Sequence, residues 1–295
     1  MKNIDALICV AGWEDRFAEG LKRDIASYKP KTLMMLVFEE FSANTQQKRT
    51  HVLNDAWFHE IDSTEVKLRR TSREVWATIR TTFDAGSWNQ KNVVLDISTM
   101  PREVIWWTLT ALAEARCNVQ YVYYHPERYS TSWLTRDTAT PRLVYQHSGL
   151  AKLGKATALL LLNGFDHERA AQLVQFFEPR LLLLGLQVGD QFDNRAKNSE
   201  QSKLLQQTIR NIVTFELDAF SSDCGYAAIK AAVEPHVKEF NVVAASLGPK
   251  TSAIALFQLA REFPDIALAY APSRQFNPEY SSGVGPSLSG DIKFD

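Results

Sequence analysis

Cysteine is scarce in this chain, and its placement excludes two protein classes at once. The 295 residues hold three cysteines, and Cys9, Cys117 and Cys224 stand far apart. Their separation lacks the paired spacing of a zinc site, and their odd number does not suit the disulfide framework of a secreted domain. Such usage fits a reducing cytoplasm. Long apolar runs are missing too. Ala158–Leu162 is of strand length, far short of the ~20 residues that cross a bilayer, and no basic-then-apolar leader opens the chain. Nor does one sign of charge dominate. Against 34 Asp and Glu stand 33 Lys and Arg, for a net charge of −1, without the cationic excess of a dedicated nucleic-acid surface. The densest basic run, Arg69-Arg70-Thr71-Ser72-Arg73, falls in a helical pattern as a solvated face. The expectation is a soluble, cytoplasmic protein with no membrane partner and no direct nucleic-acid binding.

Several signature loops are also absent. No G-x-G-x-x-G follows a strand, so a dinucleotide fingerprint is excluded, and no G-x-x-x-x-G-K-[ST] marks an NTPase P-loop. A nucleophile elbow, G-x-S-x-G, is missing. The six histidines include no H-x-x-x-H pair. His125-Pro126-Glu127 fits half of a zinc-deaminase signature, but no P-C-x-x-C completes it. His125 and His167 therefore read as surface or hydrogen-bonded residues, and neither a metal nor a cofactor is expected.

What is present is a repeat. ALICVAGWEDRF (Ala6–Phe17) and DISTMPREV (Asp96–Val104) in the first half answer to ALLLLNGFDHER (Ala158–Arg169) and AASLGPKTS (Ala244–Ser252) in the second. Gly12 matches Gly164, Pro101 matches Pro249, and Tyr124–Arg128 matches Tyr270–Arg274, in one order and at nearly one offset. In the first half, apolar runs at Ala6–Ala11, Thr32–Phe38, Ala56–Ile61, Val93–Ile97 and Val119–Tyr124 alternate with stretches of helical period. In the second, the runs are Thr157–Leu162, Leu181–Gln187, Val213–Leu217, Val242–Ala245 and Ile266–Tyr270. Alternation of this kind predicts a mostly parallel α/β sheet in each half. The fold class is thus two tandem Rossmann-like α/β halves, related by a pseudo-two-fold axis, with domains at 1–150 and 151–295. The boundary falls in HSGLAKLGK (His147–Lys155), and all seven tryptophans precede it. The stretch Tyr280–Asp295, with SSGVGPSLSG, reads as a loop, either mobile or closing over a ligand.

Parallel sheets bind ligands past the carboxyl ends of their strands, where strand order reverses. If that reversal lies between strands one and four, the Gly12 and Ser98 loops line one crevice. Gly12 and Gly164 allow close backbone approach. Ser98 and Thr99 bring hydroxyls, and the helix start after Pro101 favours an anion through its free N–H groups and dipole. Arg102 adds a bidentate donor for phosphate. The second half repeats the device with Ser246, Gly248, Lys250 and Thr251. The alternative is that Pro101 and Pro249 are simply good helix starts beside solvated cations. Trp13 and Phe165 either stack a base or cover the sheet edge, and Arg16 and Arg169 either reach a phosphate or pair along the next helix. Asp96, with Glu14 and Asp15 across the crevice, suits either a base, a divalent-ion ligand or, favoured here, a loop-orienting acceptor of backbone N–H bonds.

A ligand loop after strand one (Gly12 to Arg16) and a D-x-[ST]-x-x-x-[KR] loop after strand four (Asp96 to Arg102) resemble the CRISPR-associated Rossmann fold (CARF) sensor domains. Two such halves in one chain look like the SAVED arrangement. The resemblance implies binding of a cyclic-oligonucleotide-like second messenger between the halves and a place in bacterial antiviral defence. Met100-Pro101 and Gly248-Pro249 stand where family members typically show T-G-G-T-K. The expected function is a sensor of a nucleotide-like, phosphate-bearing ligand, with output through a separately encoded effector. A phosphodiesterase or nucleotide hydrolase using Asp96 or Glu14 and a ligand-free scaffold subunit are the alternatives.

Overall fold

A computed structural model describes residues 3–69, 71–130, 133–188, 205 and 209–294; Arg70 of the basic run lies outside them. In the first half β1 (Ala6–Val10), β2 (Thr32–Phe38), β3 (Asp62–Leu68), β4 (Asn92–Asp96) and β5 (Asn118–Tyr124) form the order β3-β2-β1-β4-β5, parallel throughout. β1 is buried along its whole length, as a central strand covered on both faces requires. Its crossover helices are α1 (Asp15–Tyr28), α2 (Ser42–Asn54), α3 (Ser72–Thr82), the short α4 (Ala85–Trp88) and α5 (Arg102–Glu114). Trp106 and Trp107 of α5 are completely buried, so this helix is apolar nearly all round, the mark of a core helix.

The second half repeats the order. β9 (Thr157–Leu162), β10 (Leu181–Gln187), β11 (Ile212–Leu217), β12 (Asn241–Ser246) and β13 (Ala267–Tyr270) run β11-β10-β9-β12-β13, again parallel. Helices α6 (His167–Phe177), α7 (Tyr226–Val233) and α8 (Thr251–Glu262) lie between them. Even the end of the first helix recurs: α1 stops on Lys29 (φ 46°) and α6 on Glu178 (φ 42°), both left-handed non-glycine caps. Two tandem Rossmann-like α/β units are therefore present.

Each sheet carries a sixth, antiparallel strand on the same edge: β16 (Ser287–Ile292) on β5, and β8 (Arg142–Leu143) on β13. A two-stranded ribbon accompanies each, β6 (Arg128–Tyr129) with β15 (Ser281–Ser282) and β7 (Thr135–Thr138) with β14 (Ser273–Phe276). The compact units are Met1–Trp133 with Asn277–Asp295, and Leu134–Phe276. Hence the segment after β6 completes the second sheet, and the segment after β14 completes the first: the edge arms are exchanged along the chain.

Two expectations are corrected here. Ala56–Glu60 is a short 3-10 turn, and the third strand is the following Asp62–Leu68. The apolar Ala56-Trp57-Phe58 run reflects a plug, with Phe58 buried in the core cluster and Trp57 packed on it. β3 is an edge strand and exposed over most of its length, so it needs no apolar sequence. The Tyr280–Asp295 stretch is likewise not a loop, because it holds β15 and β16. Its serines and glycines suit an edge strand facing solvent on one side. Gly290 lets β16 lie against Tyr121, since a Cβ there would sit 2.8 Å from the Tyr121 ring. No helix among the described residues is long and apolar enough to cross a membrane.

Deleting residues 277–295 is expected to destabilise the first unit first, because it strips the six residues of β16 from β5. Hydrogen exchange should rise in β4 and β5 before it rises in β12 and β13; equal loss in both sheets would contradict the arm exchange.

Candidate functional site

Strand order reverses between β1 and β4 and again between β9 and β12. The loops that leave these strands stand at the sheet's carboxyl edge, where open α/β sheets bind ligands. In the first unit they hold Gly12–Arg16 and Ile97–Arg102. In the second they hold Asn163–Arg169 and Leu247–Thr251.

The paired loops touch each other closely. A Cβ on Gly12 would lie 2.9 Å from Cβ and Cγ2 of Thr99, whose hydroxyl donates to the Val10 carbonyl at 2.6 Å. The repeat-equivalent contact is tighter: a Cβ on Gly164 would lie 1.8 Å from the Leu247 carbonyl oxygen. Gly248 answers across the same gap, with its missing Cβ 2.8 Å from the Asn163 carbonyl oxygen. Both first-strand glycines are thus required by loop-on-loop packing.

Behind these loops each unit buries one arginine. Arg16 is 1% exposed and pairs with Glu14; its Nη1 donates to the Tyr124 carbonyl at 3.0 Å. Glu14 also accepts from the Ser281 hydroxyl at 2.7 Å. Burial opposes the Arg16 charge, but the adjacent Glu14 carboxylate keeps the guanidinium's pKa above its ordinary value. In the second unit Arg169, 5% exposed, donates from Nε to Asp166 at 2.8 Å and from Nη1 to the Ala271 carbonyl at 3.0 Å. Asp166 also accepts from the Thr135 hydroxyl. The plan is the same twice: a carboxylate from the first-strand loop, an arginine from the first helix, a carbonyl at the end of the fifth strand, and a hydroxyl from the exchanged arm.

The loop hydroxyls also turn inward. Ser98, fully buried, accepts from the Tyr124 amide at 2.9 Å, and its own amide donates to Asp96 Oδ1 at 2.8 Å. Asp96 thereby holds the loop's turn, as an acceptor of backbone N–H does. The Ser246 and Ser252 hydroxyls lie 2.6 Å apart, and Thr251 is fully buried at the start of α8. Six of the predicted site residues are only partly buried at this edge: Trp13, Gly164 and Phe165 after the first strands, Thr99 in the loop after β4, and Arg102 and Lys250 at the helix starts. Trp13 meets Phe41 edge-on, with ring centroids 5.9 Å apart.

Some contributors were not legible as motifs. Asn163, fully buried, accepts the Gly164 amide on Oδ1 at 2.8 Å, and Gln187 closes on Gly248 from the end of β10. Tyr123 and Tyr280 place their hydroxyls 3.4 Å from the Arg16 guanidinium. His125 is buried edge-on to Tyr123, with ring centroids 5.1 Å apart. Among the described residues no group of three or more His, Cys, Asp or Glu side chains is placed to hold a metal ion. No protein-family model matches the chain, and no curated protein matches it in sequence.

Proposed function

We propose that the protein is a binding module for a nucleotide-like, phosphate-bearing ligand, in the manner of the CARF and SAVED sensors it resembles. One observation carries the reading. Both units place the same pair, only partly buried, at the switch-point edge: an aromatic after the first strand (Trp13, Phe165) and a cation at the helix start after the fourth (Arg102, Lys250). A planar base suits the aromatic, and a phosphate suits the cation with its helix start. The buried Arg16–Glu14 and Arg169–Asp166 pairs then act as the frame that holds the first loops in place.

A melting-shift screen against mono-, di- and cyclic oligonucleotides tests this. A charge-assisted hydrogen bond is worth ~1.5–3 kcal/mol, so Arg102→Ala and Lys250→Ala are each expected to weaken the best ligand by roughly 10- to 100-fold. Trp13→Ala is expected to weaken nucleotides more than inorganic phosphate. No shift with any nucleotide, or unchanged affinity in both cation variants, would refute the proposal.

A further inference from the structure

A second carboxylate lies near Asp96 inside the first unit. Asp24, on α1, is fully buried; its Oδ1 accepts from the Tyr124 hydroxyl at 2.7 Å, and its Oδ2 has no hydrogen-bond partner among the described residues. Gly20, one turn earlier, makes room for the same ring, since a Cβ there would lie 2.9 Å from it. The groups facing Asp24 do not offset a negative charge. From β4 comes Asp96, itself 1% exposed. From β1 comes the buried Cys9, whose thiol is pushed up by burial and by both carboxylates. Tyr28 of α1 is hydrogen-bonded to Ser289 of β16, and Tyr124 comes from β5. The nearby cation, Arg23, lies 5.8 Å from the Tyr124 ring centroid and donates to the Val284 and Gly285 carbonyls.

Tyr124 joins this acid to the candidate loop. Its hydroxyl holds Asp24, its amide donates to Ser98 Oγ, and its carbonyl accepts from Arg16. Asp96 holds the Ser98 amide from the other side. We propose that Asp24 carries a proton in the folded protein and that releasing it, as pH rises, loosens the loop between β4 and α5. Ionised Asp24 would place a second negative charge beside Asp96 in a dry core, where like charges repel strongly. Consistently, burial first and Asp96 second push the Asp24 carboxyl up to about 8. The folded value lies above the unfolded one of about 4. The stability this proton contributes is therefore complete below about pH 4 and is lost progressively as pH rises to the folded value, up to which the folded protein keeps the proton.

The ligand role of this loop rests on the reading above, whereas the test reads protons and amides directly. Wild type and Asp24→Asn, which keeps an acceptor for Tyr124, are melted from about pH 5 to about pH 9. Relative to the variant, the wild-type folding constant is expected to fall by up to about tenfold per pH unit below the folded value. Parallel profiles would overturn the proposal. Isotope-edited infrared spectra supply a readout that needs no variant. A protonated buried carboxyl band should be present at neutral pH and vanish in mild alkali, together with faster Ser98 amide exchange after correction for intrinsic rates. A missing band, or a band that titrates with Ser98 protection unchanged, would also overturn it.

Discussion

Gly164→Ala is expected to abolish stable folding of the second unit, whereas Gly12→Ala leaves the first unit folded but weakened. The two glycines occupy the same place in the repeat and differ in what they touch. A Cβ on Gly164 would meet the Leu247 carbonyl oxygen at 1.8 Å, and backbone cannot move aside without unpicking β12 and α8. A Cβ on Gly12 would meet the Thr99 side chain at 2.9 Å. Overpacking a core costs ~1–3 kcal/mol, occasionally more; Gly12→Ala falls within that range, and Gly164→Ala exceeds it. Thr99→Gly should rescue Gly12→Ala in part, at the cost of the Thr99 hydrogen bond to Val10. Urea denaturation followed separately by hydrogen exchange in each unit measures both. Equal, small losses would show that the loops are not in contact.

Arg16→Ala and Arg169→Ala are expected to cost ~3–5 kcal/mol each, the range for breaking a buried ion pair by removing one partner. Arg16→Ala strands Glu14, which is 7% exposed, and frees the Tyr124 carbonyl; Arg169→Ala does the same to Asp166 and the Ala271 carbonyl. Glu14→Gln added to Arg16→Ala should recover part of the loss, because no uncompensated charge remains. Arg16→Lys should still be costly, since a single ammonium cannot reproduce the forked contact with Glu14 and Tyr124. Denaturation midpoints settle the matter. Wild-type stability combined with lost nucleotide affinity would make the arginines ligand contacts instead.

These expectations depend on features of different legibility. The central strands show plainly, because burial on both faces demands continuous apolar runs; Leu181–Gln187 is β10 to the residue. The repeat of Gly12 and Gly164 was visible for the same reason, each following such a run. Edge strands β3 and β16 escaped because one or both faces meet solvent, so Asp62–Leu68 and Ser287–Ile292 carry no apolar alternation. At the site, Asp96 as a turn-holding acceptor follows from its place two residues before Ser98. The roles of Arg16 and Arg169 could not be chosen from spacing. What fixes them is a carbonyl from the fifth strand and a hydroxyl from Ser281 or Thr135. Those groups come from remote segments, and the exchanged arms place the two hydroxyls. Asp24 gave no signal, because a polar residue in an amphipathic helix reads as solvent-facing until Tyr124 is found against it.

The most direct test of the binding reading is a calorimetric titration of the wild-type protein and the Arg102→Ala/Lys250→Ala double variant with the nucleotide that shifts melting most. Saturable binding by the wild type, with affinity lost in a double variant of unchanged melting temperature, is the predicted result. Equal affinity in the two proteins would contradict it.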